Sequence, residues 1–235
     1  MKRTSKTTAG SPPRSRARPG SGSARSQTGP VADVAELLRA FQGVASRVGV
    51  PWYVFGAQAV AAYGVPRTTA DVDVTVMLGA TPVSKLIAAL RRAGFELKID
   101  DPTFVAETRV LPLAHAASGW DLDVVLAGPG IEELFMARVR TLSVAGLSIP
   151  LIALEDLIAT KLLAQRPKDL EDVRGLLRTA GDLDRDRLAA IVALLEQALD
   201  VSDLAPLLAQ LEHEVRSSKG RVDAQRVPQK PRRGR

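Results

Sequence analysis

GAQAVAAYGVPRTTADVDVTV, residues 56–76, is the stretch from which the rest of the chain can be read. Its last six residues, Asp71-Val-Asp-Val-Thr-Val76, alternate in the manner of a half-buried strand. Period-two geometry sends Val72, Val74 and Val76 to one face and Asp71 and Asp73 together to the other. Two ionised carboxylates a few ångströms apart repel, and burying them unpaired is costly. A divalent cation between them relieves that repulsion. A strand face open to water is the plainer alternative. Upstream, Trp52-Tyr-Val-Phe55 reads as a short strand ending at Gly56, and Ala57–Tyr63 as an Ala-rich helix stopped by Gly64. A strand–Gly–helix turn offers free backbone N–H groups to an anion, so Gly56 and Ala57 are candidate phosphate binders.

Working outward, Val34, Leu37, Leu38, Phe41, Val44, Ala45 and Val48 recur at helical spacing before that strand. After Val76, Thr81-Pro82 reads as an N-cap and first helical residue, opening a helix to about Ala93. Phe95–Ile99, Arg109–Leu113 and Trp120–Leu126 read as strands, Ile131–Arg138 as a helix, and Thr141–Val144 with Ser148–Ile152 as a hairpin. Beyond Ala153 the pattern becomes helical throughout: 154–164, 168–179, 185–199 and 204–215. The expected fold is therefore α/β (α+β), a small mixed sheet flanked by helices over 31–153 and a helical part over 154–215.

The chain has 235 residues, 32 Lys+Arg and 26 Asp+Glu, a formal charge of +6. That charge belongs to the ends. Residues 1–30 hold seven Lys/Arg and no acid, and residues 216–235 hold eight Lys/Arg and one acid. The remaining 17 basic and 25 acidic residues leave 31–215 at −8. Both basic ends are expected to be disordered tails with weak, non-specific affinity for nucleic acid. With no Cys and two His, a disulfide scaffold, a Cys-ligated zinc and a Cys nucleophile are excluded. Metal chemistry is left to carboxylates, which favour Mg²⁺ or Mn²⁺. The uncharged run Val48–Pro66 contains Pro51, Gly56, Gly64 and Pro66, which suit a strand, turn and short helix better than a membrane span. A cytoplasmic protein with no membrane segment is expected.

Trp120-Asp-Leu-Asp-Val-Val-Leu126 repeats the paired-acid design with Asp121 and Asp123. If this strand lies beside the first, three carboxylates can converge, two for metal and one to take a proton from an attacking hydroxyl. On strand geometry alone Asp121 and Asp123 are equivalent.

Gly56-Ala57, a short helix, then Gly64-x-Pro-Arg-x-Thr-x-Asp-Val-Asp73 resembles the nucleotidyltransferase superfamily of DNA polymerase β type, and more narrowly its AbiEii-like toxin members. Leu122-Asp-Val-Val-Leu126 is similar to that family's third-carboxylate strand. Leu154-Glu-Asp-Leu-Ile-Ala-Thr-Lys161 is similar to its lysine-bearing helix, and Arg166-Pro-Lys-Asp-Leu-Glu-Asp172 to its DxxD motif. The resemblance implies transfer of a nucleoside monophosphate from an NTP to an acceptor hydroxyl, with Asp71, Asp73 and Asp123 as metal-binding catalytic residues. It implies Lys161 on a phosphate oxygen. Asp169 and Asp172 would orient a lysine or help hold the nucleotide. Arg67 would contact phosphate or else order its loop by pairing with Asp71. Acceptors in such relatives are tRNA ends, proteins or small molecules such as antibiotics, and a toxin would have a cognate antitoxin.

Two departures stand out. Many members carry Ser or Gly where this chain has Ala57, and some carry His where it has Tyr63. The Ala57 departure supports an alternative, a non-catalytic nucleotide- or RNA-binding module of the same fold. His115, Trp52 and Trp120 read as structural residues, and His213 as solvated.

Overall fold

Alternation in two short segments creates the sheet's two faces. Val72, Val74, Val76, Leu122 and Val124 are fully buried, while the acids between them point the other way. The computed structural model describes residues 30–144, 146–179 and 181–225. Residues 1–29 of the first basic end and 226–235 of the second thus lie outside the described residues. The chain order is α1 (Pro30–Val48), β1 (Trp52–Phe55), α2 (Gly56–Ala62), β2 (Asp71–Val76), α3 (Val83–Arg92), β3 (Phe95–Leu97), α4 (Pro102–Thr108) and β4 (Val110–His115). It continues with β5 (Asp121–Leu126), α5 (Ile131–Met136), β6 (Arg140–Val144), β7 (Leu147–Leu151), α6 (Leu154–Ala164), α7 (Pro167–Thr179), α8 (Arg185–Leu199) and α9 (Leu204–Gln225).

Seven strands form one mixed sheet in the order β3-β4-β5-β2-β1-β7-β6. β2 runs parallel to β5 and β1 parallel to β7; the other neighbours are antiparallel. The apolar stripe of α1 (Leu37, Leu38, Phe41, Val44, Ala45) and that of α3 (Leu86, Ala89, Leu90) are buried in the main core. Phe41 meets Trp52 edge-on at 5.0 Å and Phe95 at 6.4 Å, which joins α1 to two strands. α6 is enclosed, packing on α7, α8 and α9, and buries Glu155, Asp156 and Lys161 along with its apolar residues. The fold is thus the α/β sheet with a C-terminal helical segment that the pattern implies. No helix among the described residues is long and apolar enough to cross a membrane.

Three local features differ from the sequence expectations. Pro82, not Thr81, holds the N-cap of α3, with extended dihedrals and no side-chain cap bond. α4 was not expected at all. Asp101 caps it by accepting from the Thr103 N–H at 2.8 Å, and it buries none of its residues, so it carries no apolar periodicity to read. α9 continues to Gln225, past position 216 where the sequence reading starts a tail. The helix continues past its apolar stripe, whose last buried residue among those described is Val215.

His115 is buried, stacked 4.5 Å from Phe95, with Nδ1 2.8 Å from the Ser118 hydroxyl. Burial lowers its pKa and keeps the ring neutral. Trp52 is a buried core residue, Trp120 packs against the core, and His213 is exposed.

Candidate active site

The parallel pairing of β2 with β5 sets Asp71 opposite Asp121 and Asp73 opposite Asp123. On the other side Phe55 of β1 is opposite Asp73, and Tyr53 opposite Thr75. One sheet face therefore carries an acidic pair of rows followed by a row of Tyr53, Thr75 and Val125. A cavity of about 620 Å³ lies over this face, roofed by α5, α6 and the start of α7. Asp71, Asp73 and Asp123 line it; so do Gly56, Ala57, Arg67, Lys161 and Asp169.

Gly56 shapes the cavity floor. Its φ is +67°, and a Cβ there would fall 1.9 Å from Asp73 Oδ2. Only glycine tolerates both the left-handed conformation and the close approach. The Ala57 N–H faces the Asp73 carboxylate, so this turn's donor serves an acid of the protein. Burial, followed by the charges of Asp71 and Asp123, pushes the Asp73 carboxyl up to about 6, against the pull of Lys161 and the Ala57 N–H. Burial and then Asp71 raise Asp123 as well. Asp71 accepts a hydrogen bond from the Thr69 hydroxyl.

Asp121 is distinguished from Asp123 by a partner. Lys98, from the end of β3, places its ammonium 2.7 Å from Asp121 Oδ2. Asp121 is thereby neutralised and lies outside the cavity lining, while Asp123 faces the cavity.

Among the described residues, no three His or acidic side chains converge closely enough to form a ready-made cation cage. The expected convergence is therefore one of register and of a shared cavity, and not of closed coordination. The donor set nonetheless suits a hard divalent cation: all oxygens, on adjacent strands, with the Asp73 and Asp123 carboxyls raised by burial and, after it, by the charge of neighbouring acids.

The second wall is cationic. Lys161 of α6 is buried, with Nζ 2.8 Å from Asp169 Oδ1 and 2.9 Å from Asp172 Oδ2. Asp172 also faces Arg67, whose Nε lies 3.1 Å from its Oδ1. Arg166 bonds to Asp169. Burial opposes ionisation of Asp169, but the bonds from Arg166 and Lys161 outweigh it and hold its carboxyl below the ordinary range. Arg67 thus orders its loop through Asp172 on α7, and not through Asp71. Asp71 is occupied by Thr69, and the 64–70 loop is pressed onto α7, where a Cβ on Gly175 would meet Val65 Cγ1 at 2.6 Å. Asp169 and Asp172 are almost completely buried, so they act as the frame for Lys161, Arg67 and Arg166. Three cations on two acids leave this cluster at +1, and Lys168, also lining the cavity, adds another charge.

Thr69, Glu132, Arg166 and Lys168 line the cavity but were not assigned to it by sequence reasoning. Arg166 and Lys168 stand inside the DxxD segment and were within reach. Nothing in the sequence marks Glu132, which reaches the cavity only because α5 folds back across the sheet.

No protein-family model and no curated protein matches the chain. Among solved structures, the antibiotic-resistance factor ANT(2'')-Ia aligns with a TM-score of 0.50 at 16% identity, covering 78% of this chain and 95% of its own. A nucleotidyltransferase-like protein from Paracoccidioides brasiliensis aligns at 0.46 and 18% identity, over 76% and 92% of the two chains. The lincosamide antibiotic adenylyltransferase LnuA aligns at 0.44 and 15% identity, over 62% and 97%. The chain shares the fold of the first of these.

Proposed function

We propose that this protein is a divalent-metal-dependent nucleotidyltransferase, moving a nucleoside monophosphate from an NTP to an acceptor hydroxyl with release of pyrophosphate. One observation carries the reading. The β2–β5 register sets Asp71 and Asp73 beside Asp123 in a cavity whose facing wall bears Arg67, Lys161, Arg166 and Lys168. An acid triad next to four basic side chains matches a triphosphate with its cation better than any uncharged substrate.

Asp71, Asp73 and Asp123 would hold Mg²⁺ or Mn²⁺, which supplies charge neutralisation at the reacting phosphate. Asp123 would also take the proton from the acceptor hydroxyl. Lys161 and Arg166 would bind the β- and γ-phosphates and stabilise the departing pyrophosphate. Asp169 and Asp172 keep these cations at fixed positions, so little reorganisation is needed when charge shifts to the leaving group. Gly56 leaves room for Asp73 to approach the turn. The AbiEii-like resemblance supports a tRNA end or a protein as acceptor, with a toxin role and a cognate antitoxin.

The test is label transfer from each α-³²P NTP, with Mg²⁺, to tRNA and to protein, beside the Asp73→Ala variant. Labelled product absent with the variant is the expected result. Transfer that survives Asp73→Ala would overturn the assignment.

A further inference from the structure

A second cavity, of about 640 Å³, lies away from the acids. It shares no lining residue with the cavity over Asp71, Asp73 and Asp123. Leu126 lines it, and strand alternation puts Leu126 on the face of β5 opposite Asp123. Ile87 of α3, Leu97 of β3 and Val105 of α4 complete its apolar surround, with Leu78 and Ile99 from the adjoining loops.

The wall formed by α4 is pinned at both ends. Asp101 caps its N-terminus by accepting from the Thr103 N–H at 2.8 Å. At its C-terminus Arg109 takes a left-handed φ of +58°. The Arg109 carbonyl accepts from the Leu126 N–H at 2.8 Å, its Nε donates to the Leu126 carbonyl at 2.8 Å, and its Nη2 donates to the Ala127 carbonyl. A non-glycine residue keeps such a conformation where its surroundings over-determine it, as these bonds do. Between the two anchors no residue of α4 is buried, and Val105 and Ala106 line the cavity. The helix is therefore held as a wall of this space by its ends, without a core contact of its own to place it there.

The chemistry of the walls limits what fits. Their charged groups already have partners: Asp100 Oδ2 lies 2.6 Å from Arg91 Nη2, Asp101 caps α4, and Arg109 is bonded to two carbonyls. A charged ligand would give up hydration here with no free counter-charge in return. An uncharged apolar body displaces water that leucine, isoleucine and valine walls hold weakly, which favours binding. The hydroxyl-bearing Thr81 and Ser84, at the start of α3, line the same cavity and offer hydrogen bonds. Small-molecule sites are usually of roughly 300–1,000 Å³, mostly apolar with a few polar groups. The ends of the chain are poor candidates to fill it, since residues 1–29 hold no Leu, Ile, Val or aromatic residue and 226–235 hold one Val.

We propose that this cavity is a second ligand site, which takes one uncharged, mainly apolar small molecule between α3 and α4. The site is separate from the acid cavity and stands whether or not the protein transfers nucleotides.

The experiment titrates the full-length protein with Nile red, an uncharged apolar dye, and with anilinonaphthalene sulfonate, an apolar anion, and reads fluorescence. The expected result is saturable binding of one Nile red per chain, with the anion at least about tenfold weaker. Ala106→Phe fills the cavity from α4 and Val105→Asp puts a charge into its wall, so each should weaken Nile red at least about tenfold. Because α4 buries nothing, both variants should melt close to the wild-type temperature. Asp73→Ala and saturating Mg²⁺ with NTP should leave Nile red binding unchanged. Absence of saturable binding overturns the proposal, as does an anion that binds as tightly as Nile red. So does undiminished binding by both folded variants, or displacement of Nile red by Mg²⁺ with NTP, which would place the dye over the acids instead.

Discussion

Gly56 and Asp73 compete for one volume: a Cβ on Gly56 would lie 1.9 Å from the Asp73 Oδ2 and 2.7 Å from its Cγ. The turn that ends β1 and the Asp73 row of β2 are therefore built as a unit. Gly56→Ala must displace Asp73 and hold an L-residue at a φ of +67°. The left-handed conformation alone costs roughly 1–2 kcal/mol. We expect a lowered melting temperature and loss of nucleotidyl transfer together. Wild-type transfer in Gly56→Ala would show that the position of Asp73 is not critical.

The four acids of β2 and β5 should not behave alike. Asp71→Ala, Asp73→Ala and Asp123→Ala should each abolish transfer. Asp121→Ala should leave it near the wild-type rate, because its carboxylate is committed to Lys98. A rate series across the four variants checks this, and inactive Asp121→Ala beside active Asp123→Ala would reverse the assignment.

The metal-free protein should lose stability as pH rises through the Asp73 titration. A carboxyl raised from 3.8 to about 6 binds more protons folded than unfolded between those values. Its contribution is present below about 4 and is lost as pH rises past about 6, with an upper bound of about 3 kcal/mol. Asp73→Asn should flatten that stretch of the profile. Mg²⁺ should raise the wild-type melting temperature above pH 6 and have little effect below pH 4. Melting curves at a series of pH values, with and without Mg²⁺, measure both; identical profiles for wild type and Asp73→Asn would refute the origin assigned here.

Lys161 and Asp172 should be coupled beyond their separate effects. Removing one partner of a buried ion pair typically costs roughly 3–5 kcal/mol, because the other charge is left uncompensated. Lys161→Met and Asp172→Asn should each approach that cost, and the double variant should cost clearly less than their sum. Denaturant titrations of the cycle give the coupling directly. Strict additivity would mean that the 2.9 Å contact carries no energy.

Gly175 should invert the ordinary helix rule. In an exposed helix interior Gly→Ala gains about 1 kcal/mol. In α7 a Cβ at 175 meets Val65 Cγ1 at 2.6 Å, and a β-branched side chain has little freedom to yield. Gly175→Ala should destabilise, and Val65→Ala should restore the double variant. A stabilised single variant would contradict the packing of the 64–70 loop on α7.

Much of the architecture was legible because it depends on periodicity. Alternation in Asp71–Val76 and Asp121–Leu126 determined two strands, their buried valines and leucines, and a shared acidic face on each. Apolar spacing determined α1, α3 and α6 to α8 almost to the residue. Gly56 was legible as a turn that admits a close neighbour. α4 was missed because it buries nothing, and its Asp101 cap before Pro102 stands without an apolar stripe behind it; the length of α9 was hidden because its last turns lack an apolar stripe.

Only the tertiary structure decided which of these pieces meet. The parallel register of β2 with β5 pairs Asp73 with Asp123, and Lys98 arriving from β3 removes Asp121 from the set. Arg67 pairs with Asp172, 105 residues away, instead of with nearby Asp71. Lys161 proves to be clamped by two buried acids. Glu132 enters the cavity only by the path of α5. The reason is physical. Side-chain direction along a strand or helix follows from local backbone geometry, whereas ion pairing and a shared cavity depend on strand order and helix packing, which no single segment encodes.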